Sequence, residues 1–170
     1  MALLHNYAFS GDSADEQDAI ELLKSDHRAV AKLLDEFEKS GVRKTSIAKQ
    51  ICAALTTHAQ IEEEIFYPAA REALKKDDED LLDEADVEHA TLKGLVGRIE
   101  STGSGDDHYE AFVKVLGEYV KHHVKEEETE LFPRLRNSDM DMKAVGAALA
   151  LRKQELERHP DRVSKPQRDR

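Results

Sequence analysis

The chain has 170 residues, with 25 Lys and Arg against 36 Asp and Glu, a net charge of −11 and a hydrophobic fraction of 39%. This acidic balance sets aside non-specific nucleic-acid binding, which needs a basic face, and apolar runs of only a few residues are too short to cross a membrane. The opening MALLHNYAFSGDSADE lacks the basic and apolar regions of a secretory signal, and the lone Cys52 has no internal disulfide partner, so the expected compartment is the cytoplasm.

Apolar residues recur at a period of 3.6 in four long segments, the mark of amphipathic helices. The first, about Ala14 to Ser40, carries Leu23, Val30, Leu34 and Phe37 on one face and stops at Gly41. The second, about Thr45 to Lys76, carries Ile47, Ile51, Leu55 and Ile65. The third, about Asp78 to Ser101, carries Leu82, Ala85, Leu92, Val96 and Ile99, and is followed by the loop-like run STGSGDD. The fourth, about His108 to Arg136, carries Phe112, Leu116, Tyr119 and Leu131. A weaker fifth segment, about Met140 to Glu157, holds Val145, Ala148 and Leu151. Short connections make neighbouring helices antiparallel, so the expected fold is an all-α, up-down-up-down four-helix bundle with a short fifth helix. The expected division is a lead over 1–13, the bundle over 14–137, and a C-terminal helix with a disordered tail over 138–170.

Each stripe is interrupted by polar residues at a matching depth. His27 stands in the first, His58 and Glu62 in the second, His89 in the third, and His123 and Glu127 in the fourth. Within each His–Glu pair the spacing is four, so both side chains share a face one turn apart. The chain also repeats itself. HAQIEEEIFYP (58–68) aligns without gaps on HVKEEETELFP (123–133), and DHRAVAKLL (26–34) on EHATLKGLV (88–96). Two helical hairpins of one design, packed with pseudo-twofold symmetry, bring the six residues together. His5, His108 and His159 fall outside the pattern.

A single histidine on an apolar face is ordinarily a satisfied core residue. Four of them with two glutamates are a different matter. Burying such groups without compensation costs several kcal/mol per charge, against a total stability of roughly 5–15 kcal/mol. Divalent cations remove the cost. No thiolate is available, since Cys52 lies off the stripe, and His with carboxylate suits Fe, Mn or Zn better than Ca or Mg. Six ligands are too many for one tetrahedral ion and suit two ions bridged by the glutamates. Four donors per ion would also satisfy zinc; a redox pair of irons fits the bridging carboxylates better.

The motif H-x-x-x-E-E-x-x-x-(F/Y)-P, present twice and each time preceded by an acid–His helix, resembles the hemerythrin and HHE cation-binding domains over about residues 20–135. The resemblance implies a non-haem di-iron centre, with His27 and His58 on one iron, His89 and His123 on the other, and Glu62 and Glu127 as bridges. Oxygen-carrying hemerythrins have a further histidine one turn before the residue matching His89; here that position is Ala85. Both irons are then expected to be open, with Asp86 or Glu88 as partial substitutes, which favours peroxide or O2 chemistry over reversible O2 carriage.

Five other residues carry expectations. His122 forms its own pair with Glu126, but only the His123 register matches the first copy through to Pro133. Tyr119 is expected in the core or facing the site, and Glu130 is expected on the inner face as an acceptor or extra ligand. Pro68 and Pro133 are expected to bend or end their helices. Two functional classes fit. One is a di-iron enzyme disproportionating hydrogen peroxide, since two metals roughly 3–4 Å apart can hold both ends of a peroxide. The other is a protein that binds or senses O2, NO or iron without turnover. Small molecules are the expected partners, with neither nucleic acid nor membrane.

Overall fold

The computed structural model describes residues 18–74 and 79–160. The expected first turn from Ala14, the N-terminal lead with His5, and the tail beyond Pro160 lie outside these residues. Helix α1 spans Ala19–Lys39, and Asp18 caps it by accepting the Glu21 N–H at 3.0 Å. Helix α2 spans Lys44–Ile61, a π-helical turn follows over Glu62–Phe66, and α3 continues over Tyr67–Ala73. Helix α4 runs over Glu79–Thr102. Helix α5 spans Tyr109–Glu126, a second π turn covers Glu127–Leu131, and α6 completes that rod over Phe132–Arg136. Helix α7 spans Met142–Arg158. No strand occurs among the described residues.

Pro68 and Pro133 lie in the first turn of α3 and α6, immediately after the π turns. A proline has no N–H to return to the carbonyl four residues back, which leaves the preceding turn free to widen. Each wide turn lets a five-residue bond form, from Tyr67 N–H to the Glu62 carbonyl and from Phe132 N–H to the Glu127 carbonyl.

Contacts of α1 with α2, α2 with α4, α4 with α5 and α5 with α1 close a four-membered ring, the expected bundle. Gly103, at φ 74°, turns the chain after α4, a conformation open to glycine. The core forms two clusters. One holds Ile20, Leu23, Phe66, Leu82 and Phe132, and the other holds Val30, Leu34, Ile51, Val96 and Leu116. On every rod of the ring the polar interruption falls between the two, so an apolar plug lies on each side of the six polar residues.

Several expected core positions are displaced. Tyr119 is 42% exposed and faces neither core nor site; Val113, Leu116 and Val120 fill the inner face of α5 instead. Ile65 is only half-buried, while Phe66 and Tyr67 are buried, because the π turn rotates the face by the extra residue. On α7 the buried residues are Gly146, Leu149 and Leu156 rather than Val145, Ala148 and Leu151. Leu151 is exposed because Arg152 and Lys153, which follow it, reach across to bundle carboxylates and set the helix's rotation.

Candidate metal centre

His27, His58, Glu62, His89, His123 and Glu127 are all buried, with Glu62 wholly so. Ligand atoms of His27, His58, Glu62 and Glu127 lie within 4.8 Å of one another, as do those of Glu62, His89 and His123. Each glutamate spans the two hairpins. Glu62 Oε2 is 3.2 Å from His58 Nε2 and 3.2 Å from His89 Nε2, while Glu127 Oε2 is 3.3 Å from His27 Nε2 and 3.6 Å from His123 Nε2.

Every imidazole is held from behind by a carboxylate at Nδ1. The partners are Glu128 for His27 at 2.8 Å, Asp26 for His58 at 3.5 Å, Glu63 for His89 at 3.1 Å and Glu88 for His123 at 2.7 Å. Such an arrangement fixes the ring and turns the Nε2 lone pair inward. The four carboxylates obey the repeat: Asp26 corresponds to Glu88, and Glu63 to Glu128. All four directly precede or follow a residue of the inner six, and the π turns aim Glu63 and Glu128 across to the opposite hairpin.

Inside this frame, His27 Nε2, His58 Nε2, both Glu62 oxygens and Glu127 Oε2 are buried without a hydrogen-bond partner. Buried polar atoms are almost always paired, and these are the lone pairs that divalent cations take. Imidazole with carboxylate matches iron, manganese or zinc. Cys52 is no competitor: burial pushes its thiol up to about 12.

The cluster's charges are strongly coupled. Burial opposes an imidazolium at His58, but Glu62 and Asp26 outweigh it and push the pKa up to about 10. Burial likewise opposes His89, which Glu62 and Glu63 raise to about 9. For Glu62, burial acts to raise the carboxyl, yet His58 and His89 hold it well below the usual carboxylate range.

The sequence reading missed Tyr67. Its hydroxyl donates to Glu127 Oε1 at 2.9 Å and lies 3.1 Å from His89 Nε2. Burial, reinforced by Glu127 and Glu62, keeps the phenol protonated far above its usual range. A plain α-helix places residue i+5 off the face of residue i; the π turn brings Tyr67 back to the face of Glu62. The repeat held the signal, since Phe132 is the aligned residue. Phe132 stacks on His27 at 5.9 Å, and Tyr67 packs on His89 at 5.2 Å, so the hydroxyl is what distinguishes the two halves. Ala85 is buried and offers no donor atom. The half that lacks a further histidine therefore has this phenol beside His89.

The other expected ligands lie elsewhere. Asp86 is exposed and bound by Arg71 at 2.7 Å. Glu88 is spent on His123 rather than replacing the missing histidine. Glu130 is exposed; the π turn gives the inner role to Glu128. His122 lies outside, between Glu88 at 3.3 Å and Glu126 at 3.2 Å, with its side chain 59% exposed. His108 and His159, outside the repeat pattern, are exposed. A narrow cavity reaches the four imidazoles, walled by Val30, Leu55, Leu92, Val96 and Val120. Its free space suits a guest of about one or two heavy atoms.

The sequence profile of the Hemerythrin HHE cation binding domain matches residues 15–135. A protein named DNA nickase from Nostoc sp. (strain PCC 7120 / SAG 25.82 / UTEX 2576) is 30% identical over 143 residues, a match covering 77% of this chain and 40% of the nickase. The crystal structure of a hemerythrin HHE cation binding domain-containing protein from Mycobacterium kansasii superposes with a TM-score of 0.69 at 20% identity, covering 82% of this chain and 86% of that one. With the paired His-x-x-x-Glu segments converging in a four-helix bundle, this chain belongs to the hemerythrin HHE cation-binding family.

Proposed function

We propose that the buried cluster holds two iron ions, with His27 and His58 on one, His89 and His123 on the other, and Glu62 and Glu127 spanning both, and that the loaded protein disproportionates hydrogen peroxide. The observation that carries this reading is the set of orphaned buried lone pairs on His27, His58, Glu62 and Glu127. An iron pair supplies reversible two-electron redox chemistry, the exchange by which two peroxides become two waters and one O2.

The chain's own residues shape that chemistry. Asp26, Glu63, Glu88 and Glu128 fix the four imidazoles. The valine and leucine walls of the cavity exclude organic substrates and bulky reductants while admitting a peroxide. Tyr67 holds a proton at its hydroxyl, within reach of Glu127 Oε1 and of the His89 side of the cluster. DNA nicking belongs to the Nostoc protein, more than half of which lies outside the match; the net charge of −11 disfavours non-specific binding of this chain to DNA.

The test is elemental analysis followed by peroxide challenge. Protein from iron-replete cells should carry two irons per chain and release O2 from peroxide at one O2 per two peroxides. One zinc and no iron would overturn the metal assignment. Two irons without O2 release would move the protein to the class that binds or senses O2 or NO.

A further inference from the structure

We propose that helix α7 is part of the metal centre's support, with Lys153 as the positioning residue for His58 through Asp26. The inference rests on the metal assignment proposed above. Helix α7 lies beyond residue 135, outside the segment that the family profile matches. It nonetheless packs on α1, on α2 and on the π turn after α2. Leu149 and Leu156 anchor it in the core cluster that also holds Ile20, Leu23 and Phe66.

From this anchored helix two consecutive side chains reach the centre's frame. Lys153 Nζ donates to Asp26 Oδ1, and the other oxygen of Asp26 faces His58 Nδ1 at 3.5 Å. The Asp26 side chain is 12% exposed and that of Lys153 30%, so the ion pair is largely sheltered from water and salt. Arg152 grips Glu64 with two nitrogens, at 2.7 and 3.1 Å. Glu64 lies in the π turn that begins with Glu62. Helix α7 therefore holds both elements that carry the His27–His58 half of the site.

His58 is the imidazole with the most to gain. Its contact to Asp26 is 3.5 Å, whereas the other three imidazoles sit 2.7 to 3.1 Å from their carboxylates. A loosely held ring depends on where its acceptor is fixed, and Lys153 fixes the acceptor. The repeat shows that this is not a shared feature of the two halves. Glu88, the counterpart of Asp26, pairs with His122 and His123 of its own hairpin, whereas Asp26 pairs with Lys153 of α7. Carboxylates that orient ligating histidines typically govern metal affinity by 10- to 100-fold, and here the carboxylate is itself oriented from outside the bundle.

The experiment loads wild type, Lys153→Met, Lys153→Arg and Asp26→Asn with cobalt(II) and follows release to EDTA by the visible ligand-field bands. The melting temperature of each metal-free protein is measured alongside. Lys153→Met should give biphasic release, one equivalent leaving about 10-fold faster and the other at the wild-type rate, with altered bands. Asp26→Asn should reproduce this pattern, and Lys153→Arg should restore slow release. Metal-free melting should stay within a few degrees of wild type. Release from Lys153→Met at wild-type rates for both equivalents overturns the inference and leaves the metal assignment standing. Equal acceleration of both equivalents with a large fall in metal-free melting also overturns it, since that is a packing defect alone. Wild-type protein that takes up no cobalt overturns both readings.

Discussion

At the residue scale, one hydroxyl separates two otherwise matched halves. Tyr67 and Phe132 occupy aligned positions, each against a histidine, and only Tyr67 carries a donor. A phenylalanine therefore fits the Tyr67 site without a change of shape. Tyr67→Phe should keep both irons and lower the rate of O2 release from peroxide by about a hundredfold, the low end of what a lost proton-holding group costs. An unchanged rate would make the phenol a packing residue. His122 and His123 offer a second residue-scale contrast. His123 Nε2 lies 3.1 Å from His89 Nε2, deep in the cluster, while His122 is out in solvent. His123→Ala should cost about one iron per chain by elemental analysis, and His122→Ala none. Iron lost from the His122 variant instead would place the site in the wrong register of α5.

At the element scale, the straight parts of the helices were legible and the wide turns were not. Leu23, His27, Val30, Leu34 and Phe37 keep one uninterrupted period along α1, and all are buried; the same holds for Leu82, Ala85, His89, Leu92 and Val96 on α4. Glu62 and Glu127 were legible because they precede the widening. Tyr67, Glu128 and the exposure of Glu130 come after the residue that each π turn inserts, where a period of 3.6 no longer reports the face. The carboxylates behind the imidazoles are hard to read for another reason: Glu63 and Glu128 bind across hairpins, Asp26 and Glu88 bind the neighbouring helix of their own, and charged residues next to charged residues look like solvated surface. Helix α4 carries a testable consequence. Ala85 is one turn before His89 and 4% exposed, so an imidazole there enters filled space. Ala85→His should cost about 1–3 kcal/mol in the metal-free protein, a fall of several degrees at roughly 2–4 °C per kcal/mol. It should also slow peroxide turnover by placing another donor beside the His89 half. Full stability together with full turnover would show that the Ala85 side chain points away from the cluster.

At the scale of the whole molecule, the cluster is both the centre of the site and the joint between two apolar plugs, so its charge balance is a term in folding. His58 and His89 are raised from 6.5 to about 10 and about 9 in the folded chain. Groups raised on folding stabilise fully below their unfolded value and lose that contribution as pH climbs through the folded value. Glu62 has the opposite sign: depressed on folding, it contributes above its ordinary 4.5 and loses this only in acid. The metal-free protein should thus be most stable between about pH 4.5 and 6.5, and its melting temperature should fall steadily from pH 7 to pH 10. Metal reverses the dependence. Imidazoles must release their protons to bind an ion, so affinity rises with pH, and binding free energy becomes folding free energy. At free metal near a thousand times Kd the gain is about 4 kcal/mol, or roughly 10 °C for a domain of this size. Scanning calorimetry of the metal-free and loaded forms at about pH 6, 7.5 and 9 separates the two behaviours. The gap between their melting temperatures should widen with pH, from both sides at once. A metal-free protein that gains stability over this range, or a gap that stays constant, would mean that protons and metal do not compete for the same imidazoles.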